Sequence, residues 1–315
     1  MKHFSFLLLP DYSNLCLFNA LEPLRAANYY IGRTYYTWSL VTLDGQQVHS
    51  SSGLTLPVDC ALNEVGRFKN LDTLIVQSSY NYQSHATPKA ILSLQKNRHH
   101  FKNLGGFDAG SYLLAKCGLL DGYKATIHWA EIETFCEQFP DIDTTNTRYV
   151  IDRNRISSGG ATTALDLMIA LIRTDHGADI AKQVSDLFVF DTERSENTPQ
   201  KERTTSLIEE SSPRIARALR LIESNLEEPL PIPQLAKQAG ISQRQLQRHF
   251  AATFKMTLEQ YYLRTRLRHA RQLLRETSLQ IFEISIRCGF SSRTSFSRAY
   301  KNIFGLSPSD ERIRA

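Results

Sequence analysis

Apolar and polar positions alternate along the first 190 or so residues in two different rhythms. "HFSFLLLP", "TWSLVTLDG" and "LDTLIVQSS" are short apolar runs that read as strands, and "RYVIDRNRISSGG" reads as one more. Between them, "NLCLFNALEPLRAANYY", "PKAILSLQKN", "ATIHWAEIETFCEQF" and "ATTALDLMIALIRTD" carry apolar residues at helical spacing, the last with Ala164, Leu165, Met168, Leu171 and Ile172 on one face. Strands that alternate with helices predict βαβ units and a mostly parallel sheet covered on both faces. Such a sheet binds ligands at the carboxyl ends of its strands.

The C-terminal third has only the helical rhythm, and it repeats. "QLAKQAGISQRQLQRHFAATFKMT" (residues 234–257) recurs loosely as "EISIRCGFSSRTSFSRAYKNIFGLS" (residues 283–307), about 50 residues later. Each copy has a short helix, a Gly able to take positive φ (Gly240, Gly289), an apolar anchor (Ile241, Phe290) and a Ser N-cap (Ser242; Ser291 or Ser292). A second helix follows, with Leu246 and Phe250 in one copy and Phe296, Tyr300 and Phe304 in the other at helical spacing. These are two helix-turn-helix units. The helix between them, opened by a Thr257/Gln260 capping box, has Leu258, Tyr262, Leu267, Ala270 and Leu274 as an inward stripe. About 18 residues of helix span roughly 27 Å, enough to hold two units near the roughly 34 Å repeat of the major groove.

Charge follows the same division. The chain of 315 residues carries +5 overall, but residues 206–315 hold 18 Lys/Arg against 10 Asp/Glu, leaving 19 against 22 before them. The segment "DTERSENTPQKERTTSLIEESSP" (residues 191–213) is polar and aperiodic, as a linker is. The expected domains are therefore 1–192, a linker over 193–212, and 213–315. The opening run Phe4–Leu9 is too short for a signal peptide or a membrane span, and the five cysteines form neither a C-x-x-C pair nor a metal-like cluster. A cytoplasmic protein without metal, cofactor or membrane partner is expected.

Basic, polar side chains on the outward face of the two second helices are candidates for DNA contact. They are Arg244, Gln245, Gln247 and Arg248 in the first and Arg293, Thr294, Ser297 and Arg298 in the second. Arg suits guanine O6/N7, Gln suits adenine N6/N7, and Ser or Thr reaches bases or phosphates. A basic helix face can equally be no more than solvated surface.

"NLGGFDAGSYLLAKCGLLDG" (residues 103–122) has the form in which an α/β enzyme displays a nucleophile at a sharp strand-to-helix turn. Here Asp108 stands at the tip. Cys117 lies nine residues away, about 900° round a helix and about 13 Å along it, and Ser111 has no neighbouring base. A carboxylate at a helix N-terminus suits a receptor for a cationic ligand head.

Residues from about 213 to 313 resemble the DNA-binding domain of AraC/XylS-type bacterial transcription regulators, through "LAKQAGISQRQLQRHF", the Tyr261, Arg266, Ala270, Leu273–Leu274 pattern and "EISIRCGFSSRTSFSRAYKNIFGLSP". Thr257 stands where that family often has Pro. Residues 1 to about 190 resemble the DJ-1/PfpI, or class I glutamine amidotransferase-like, fold through "NALEPLRAAN", "GGFDAGSYLLAKCGLLDGYKATIHW" and "SSGGATTALDLMIALI". The combination is similar to a subgroup of AraC-type regulators, some of which sense glycine betaine, carnitine or arginine. The resemblance implies an α/β fold: a flavodoxin-like, amidotransferase-like parallel-sheet sandwich followed by an all-α domain with two helix-turn-helix units. It also implies that the Cys nucleophile of the fold's enzymes is replaced by Asp108, and that Glu22 lies near the turn, as a Glu does in those enzymes.

Ligand candidates are then Glu22, Asp108, His128, Trp129 as an aromatic face for an ammonium group, and Thr162 for a ligand carboxylate, with Thr163 beside it. Each has a purely structural alternative: Asp108 as a helix cap, Glu22 in an ion pair with Arg25, Trp129 as core, the threonines as packing. The chain is expected to be a transcription regulator, not an enzyme, that binds promoter DNA under the control of a cationic or zwitterionic amino-acid derivative. The resemblance further implies activation through RNA polymerase and a homodimer. Two rivals stand beside this: a DNA-tethered hydrolase or amidotransferase using Asp108 and His128, and a regulator whose N-terminal domain only dimerises.

Overall fold

The computed structural model describes residues 1–190, 199–200, 212–277 and 279–314. Apart from 199, 200 and 212, the expected linker lies outside the described residues. The chain divides into two compact units, Met1–Lys201 and Glu202–Ala315.

In the first unit, strands β1 (Lys2–Leu8), β2 (Tyr36–Thr42), β3 (Cys60–Ala61), β4 (Leu71–Ser78), β5 (Asn103–Asp108), β8 (Tyr149–Asp152) and β9 (Arg155–Ser158) form one sheet in the order β3-β2-β1-β4-β5-β9-β8. Every pairing in it is parallel except β8 with β9. Helices α1 (Asn14–Ile31), α6 (Thr163–His176) and α7 (Ala178–Leu187) bury Leu17, Leu24, Met168, Ile172 and Val184 on one face, against Phe6, Leu8, Ile75 and Phe107 of the strands. On the other face Leu7, Leu74 and Val76 pack with α2 (Tyr82–His85), α3 (Pro88–Asn97) and α4 (Gly110–Lys116) through Tyr82, Leu94, Leu113 and Leu114. The alternation of faces along β1 and β4 is the period-2 rule of a strand. This is the α/β sandwich the sequence predicts.

Two local readings are corrected. The expected single strand "RYVIDRNRISSGG" is a hairpin, β8 and β9, turned at Arg153 and Asn154, with Asp152 paired to Arg155. Arg153 supplies the positive φ, 53°, that such a tight turn needs and that Gly or Asn usually provides. The expected helix from residue 125 onward begins only at Ile132 (α5, Ile132–Gln138), because Lys124–Ala125 is a short strand, β6, paired to β7 (Asp143–Thr144). The Thr126 amide bonds Ser157 Oγ at 2.9 Å and its hydroxyl bonds the Thr145 carbonyl at 2.8 Å. These sheet-side bonds compete with helix formation. His128 and Trp129 consequently sit in a loop.

Among its described residues the second unit is all helix: α8 (Pro213–Glu223), α9 (Ile232–Ala239), α10 (Gln243–Phe254), α11 (Leu258–Glu276), α12 (Ile281–Arg287), α13 (Arg293–Phe304) and α14 (Pro308–Arg314). It has two cores. Leu258 and Tyr262 of α11 join Leu235, Leu246 and Phe250 in one, and Leu267, Ala270 and Leu274 join Ile284, Phe296 and Tyr300 in the other. The central helix thus belongs to both halves. Tyr262 Oη donates to the Asn225 carbonyl at 2.7 Å, and one turn on, Arg266 Nε donates to the Cys288 carbonyl at 2.6 Å.

Candidate functional site

Asp108 ends β5 with φ 59°, a left-handed conformation that costs a non-glycine residue energy unless its surroundings impose it. Here they do. The Ala109 amide bonds the Ser78 carbonyl at 3.0 Å, and the His128 amide bonds the Asp108 carbonyl at 3.1 Å. Gly110 opens α4 so close to β4 that a Cβ there would fall 2.0 Å from the Val76 carbonyl oxygen. The turn is a built elbow at the carboxyl end of β5, beside the end of β4, where Ser78 pairs with Asp108.

Around it are residues that sequence reasoning missed. Cys16, in the first turn of α1, is fully buried, and its thiol is held well above the usual range, first by burial and then by the Asp108 charge, against hydrogen bonds from the Ala161 amide and Gln77. It is a neutral packing group. Gln77 and Ser78 end β4 beside Phe107 and Asp108, and Tyr12 follows β1. The Tyr12 hydroxyl and Ser78 Oγ are buried without a hydrogen-bond partner, and the Gln77 carboxamide meets only the weak Cys16 thiol. Three buried polar groups so poorly satisfied at the ends of neighbouring strands depart from the rule that buried polar atoms are bonded. No local sequence signal marks them, because they come from the ends of two strands far apart in the chain, Tyr12 after β1 and Gln77 and Ser78 from β4.

The expected site residues divide. Asp108 is buried with its carboxylate against Gly160, where a Cβ would lie 2.7 Å from Asp108 Cγ. His128 follows in the adjoining loop, and burial lowers its imidazole to about 4, so it is neutral at physiological pH. Trp129, 38 % exposed, lies at the surface with its ring centroid 5.3 Å from that of His128. Thr162 is exposed at the start of α6, whereas Thr163 is buried and donates to the Gly160 carbonyl at 2.7 Å. Glu22 is not gathered with them. It lies six residues beyond Cys16, about 9 Å along α1, and binds Arg25 Nε at 2.6 Å.

Other nucleophiles are occupied elsewhere. Ser111 Oγ, fully buried, donates to the Thr126 carbonyl at 2.7 Å. Cys117 donates weakly to the Ile91 carbonyl, 3.7 Å away, and burial lifts its thiol to about 12. Among the described residues no group of three or more His, Cys, Asp or Glu could hold a metal ion, and no helix is long and apolar enough to cross a membrane.

In the second unit the two helix-turn-helix copies share one burial pattern. Leu246 and Phe250 are buried in α10, as Phe296 and Tyr300 are in α13, leaving Arg244, Gln245 and Arg248 exposed in one helix and Arg293, Thr294 and Arg298 in the other. Gln247 and Ser297 are half-buried at equivalent positions. Ser242 caps α10 and Ser292 caps α13, each Oγ accepting the amide three residues on. Gln245 is drawn into that cap: its Oε1 lies 3.0 Å from Ser242 Oγ. Gly240 and Gly289 take φ values of 72° and 71° in the two turns, and a Cβ on Gly289 would strike the Leu226 carbonyl.

Comparison with known proteins agrees with both units. Residues 17–174 match the model of the DJ-1/PfpI family, and residues 235–314 match a helix-turn-helix domain model. The HTH-type transcriptional regulator GbdR of Pseudomonas aeruginosa is 36% identical over 98% of this chain and 83% of its own length. The regulator CdhR of the same organism is 37% identical over 99% of this chain and 91% of its own, and GlxA of Rhizobium meliloti is 33% identical over 100% and 97%. Among solved structures, an AraC family transcriptional regulator from Pseudomonas putida superposes with a TM-score of 0.53 at 26% identity, covering 60% of this chain and 100% of that one. The chain belongs to the AraC-type helix-turn-helix transcriptional regulators whose N-terminal domain has the DJ-1/PfpI fold.

Proposed function

We propose that this regulator is controlled by a small cationic or zwitterionic amino-acid derivative bound at the Asp108 elbow, and that occupancy alters how its two helix-turn-helix units engage promoter DNA. One observation carries the reading. A buried carboxylate held in a strained turn ends β5 beside the end of β4, and the Gln77 carboxamide and Ser78 Oγ there, with the Tyr12 hydroxyl after β1, are not well satisfied within the protein. A polar ligand would supply their missing partners, and the Asp108 charge would select a cation. His128, neutral at physiological pH, would accept or donate a hydrogen bond without repelling that cation. Trp129 and Thr162 border the region from the loop and from the start of α6. The conformation that would suit a nucleophile here carries a receptor group.

On DNA, α10 and α13 enter successive major grooves, with Arg248 and Arg298 at equivalent positions and Arg244, Gln247, Arg293, Thr294 and Ser297 around them. Gln245 contributes to the α10 cap in the free protein and reaches DNA with its amide nitrogen. The protein acts as an activator and as a homodimer, for which the exposed Leu15 and Phe18 of α1 offer an apolar contact.

The test is reciprocity. Once a binding site has been selected from random DNA, its affinity is measured with and without each compound that stabilises the N-terminal domain. An effector that changes DNA affinity by a given factor must have its own affinity changed by the same factor when DNA is bound. Stabilising compounds that leave DNA affinity untouched would count against ligand control.

A further inference from the structure

Gln200 stands just before the boundary between the two units and belongs to the first. Its main-chain amide bonds the Asn146 carbonyl at 3.2 Å, and Pro199 forms a β-bridge with Thr147, so the segment lies along residues 146–147 like a short added strand. Its side chain turns inward. Gln200 Nε2 faces three oxygens: Thr126 Oγ1 at 2.8 Å, the Ile127 carbonyl at 2.7 Å and the Thr147 carbonyl at 3.1 Å. Thr126 spends its own hydroxyl hydrogen on the Thr145 carbonyl, so all three are acceptors here.

The fit is incomplete. A carboxamide brings two N–H bonds to three acceptors and also an oxygen, and Gln200 Oε1 is buried with no hydrogen-bond partner. The cradle is roomy only because residue 159 is Gly: a Cβ there would fall 2.0 Å from that same Oε1. A primary ammonium brings three N–H donors to the three oxygens and a guanidinium brings more, in charge-assisted bonds, and neither carries an acceptor atom to leave orphaned. The cradle also adjoins the elbow: Ile127 precedes His128, whose amide holds the Asp108 carbonyl, and Gly159 precedes Gly160, which abuts the Asp108 carboxylate.

We propose that the oxygens of Thr126, Ile127 and Thr147 form the subsite for an N–H-bearing cationic group of the effector, and that Gln200 is its displaceable resident. Effector binding evicts the carboxamide and frees the chain immediately before the boundary of the two units. This rests on the ligand-control reading and narrows it to primary amines and guanidines over quaternary ammonium compounds, which have charge but no N–H to give.

The test is hydrogen exchange at the main-chain amide of residue 200 in the full-length protein, corrected for intrinsic rates, since exchange follows local opening. Gln200→Ala removes the occupant. Gly159→Ala, whose new Cβ would have the tip of the Gln200 side chain as its nearest neighbour, expels it while keeping Gln200 itself. Both are expected to accelerate exchange at residue 200 about tenfold or more while amides of β4 and β5 keep wild-type protection. Methylguanidine is expected to accelerate it in the wild type, and tetramethylammonium is not. Unchanged exchange in both variants overturns the latch, and acceleration by both cations or by neither overturns the donor subsite. Failure of ligand control itself would look different: exchange at residue 200 would respond as stated while no metabolite changed DNA affinity.

Discussion

The amide of His128 donates to the carbonyl of Asp108 across 3.1 Å, so the loop after β6 is fastened to the elbow by its main chain. The bond ties the residue with a neutral, half-buried imidazole to the residue with a strained backbone and a buried side chain. It is the geometric basis for proposing the two as parts of one site.

Asp108→Asn is expected to keep the fold, because Asn adopts positive φ as readily as Asp and is nearly the same size. Its melting temperature without ligand should stay within about 1 kcal/mol of wild type in equivalent stability. Gly160→Ala should behave differently: φ there is 88°, and the new Cβ would sit 2.7 Å from Asp108 Cγ. A loss of about 1–3 kcal/mol is expected in denaturant melts, and equal stability of the two variants would contradict the packing described.

His128 sets a pH dependence. Its folded-state value, about 4, lies below the ordinary 6.5, so between those values the unfolded chain binds the proton and the folded one does not. Stability of the first unit should therefore be fully present above pH 6.5 and fall as pH drops toward 4. The loss is at most about 3 kcal/mol. His128→Gln should flatten that slope in thermal melts taken across the window, and an unchanged slope would remove His128 from the account.

Glu311 anchors α14. Buried, it accepts from Arg271 Nε at 3.0 Å, Arg275 Nε at 2.7 Å and Tyr300 Oη at 3.0 Å. Burial opposes its charged form, but these donors outweigh burial and hold the carboxyl below its usual value. The contribution is therefore complete above the ordinary carboxylate range and disappears as pH falls through the lowered one. Glu311→Gln should cost about 1–2 kcal/mol in the second unit, less than a fully buried pair because both Arg side chains are partly exposed. A loss confined to acid pH would contradict it.

Arg248 and Arg298 occupy the same exposed position in their helices. Replacing either with Ala should cost about 1–3 kcal/mol at a selected DNA site if it reads a base, or lower the salt slope of binding by about one if it grips phosphate. Gln245→Ala should instead cost about 0.5–1 kcal/mol of stability through the lost cap. Binding isotherms at several salt concentrations, alongside melts, separate the two kinds of effect.

The helix-turn-helix repeat was legible because its signals are local: a Gly that turns, a Ser three residues before a bonded amide, and apolar residues four apart. The stripe Leu258, Tyr262, Leu267, Ala270, Leu274 is buried throughout. Less local features escaped. Arg153 takes the positive φ of a hairpin turn that Gly or Asn usually supplies, and Thr126 trades helix for hydrogen bonds to Ser157 and Thr145, far along the chain. Asp108 could be read from the shape of its elbow. Cys16, Gln77 and Gln200 could not, since they meet the site only when strand ends and a distant segment converge.

The most direct test is a thermal titration of the wild-type protein and Asp108→Asn with amino acids, polyamines, guanidines, betaines and carnitine. A ligand at a hundred times its dissociation constant stabilises the domain it binds by about 2.7 kcal/mol. The account predicts that at least one cationic or zwitterionic compound raises the wild-type melting temperature and leaves Asp108→Asn unmoved. A shift of equal size in both proteins, or none from any compound, would contradict it.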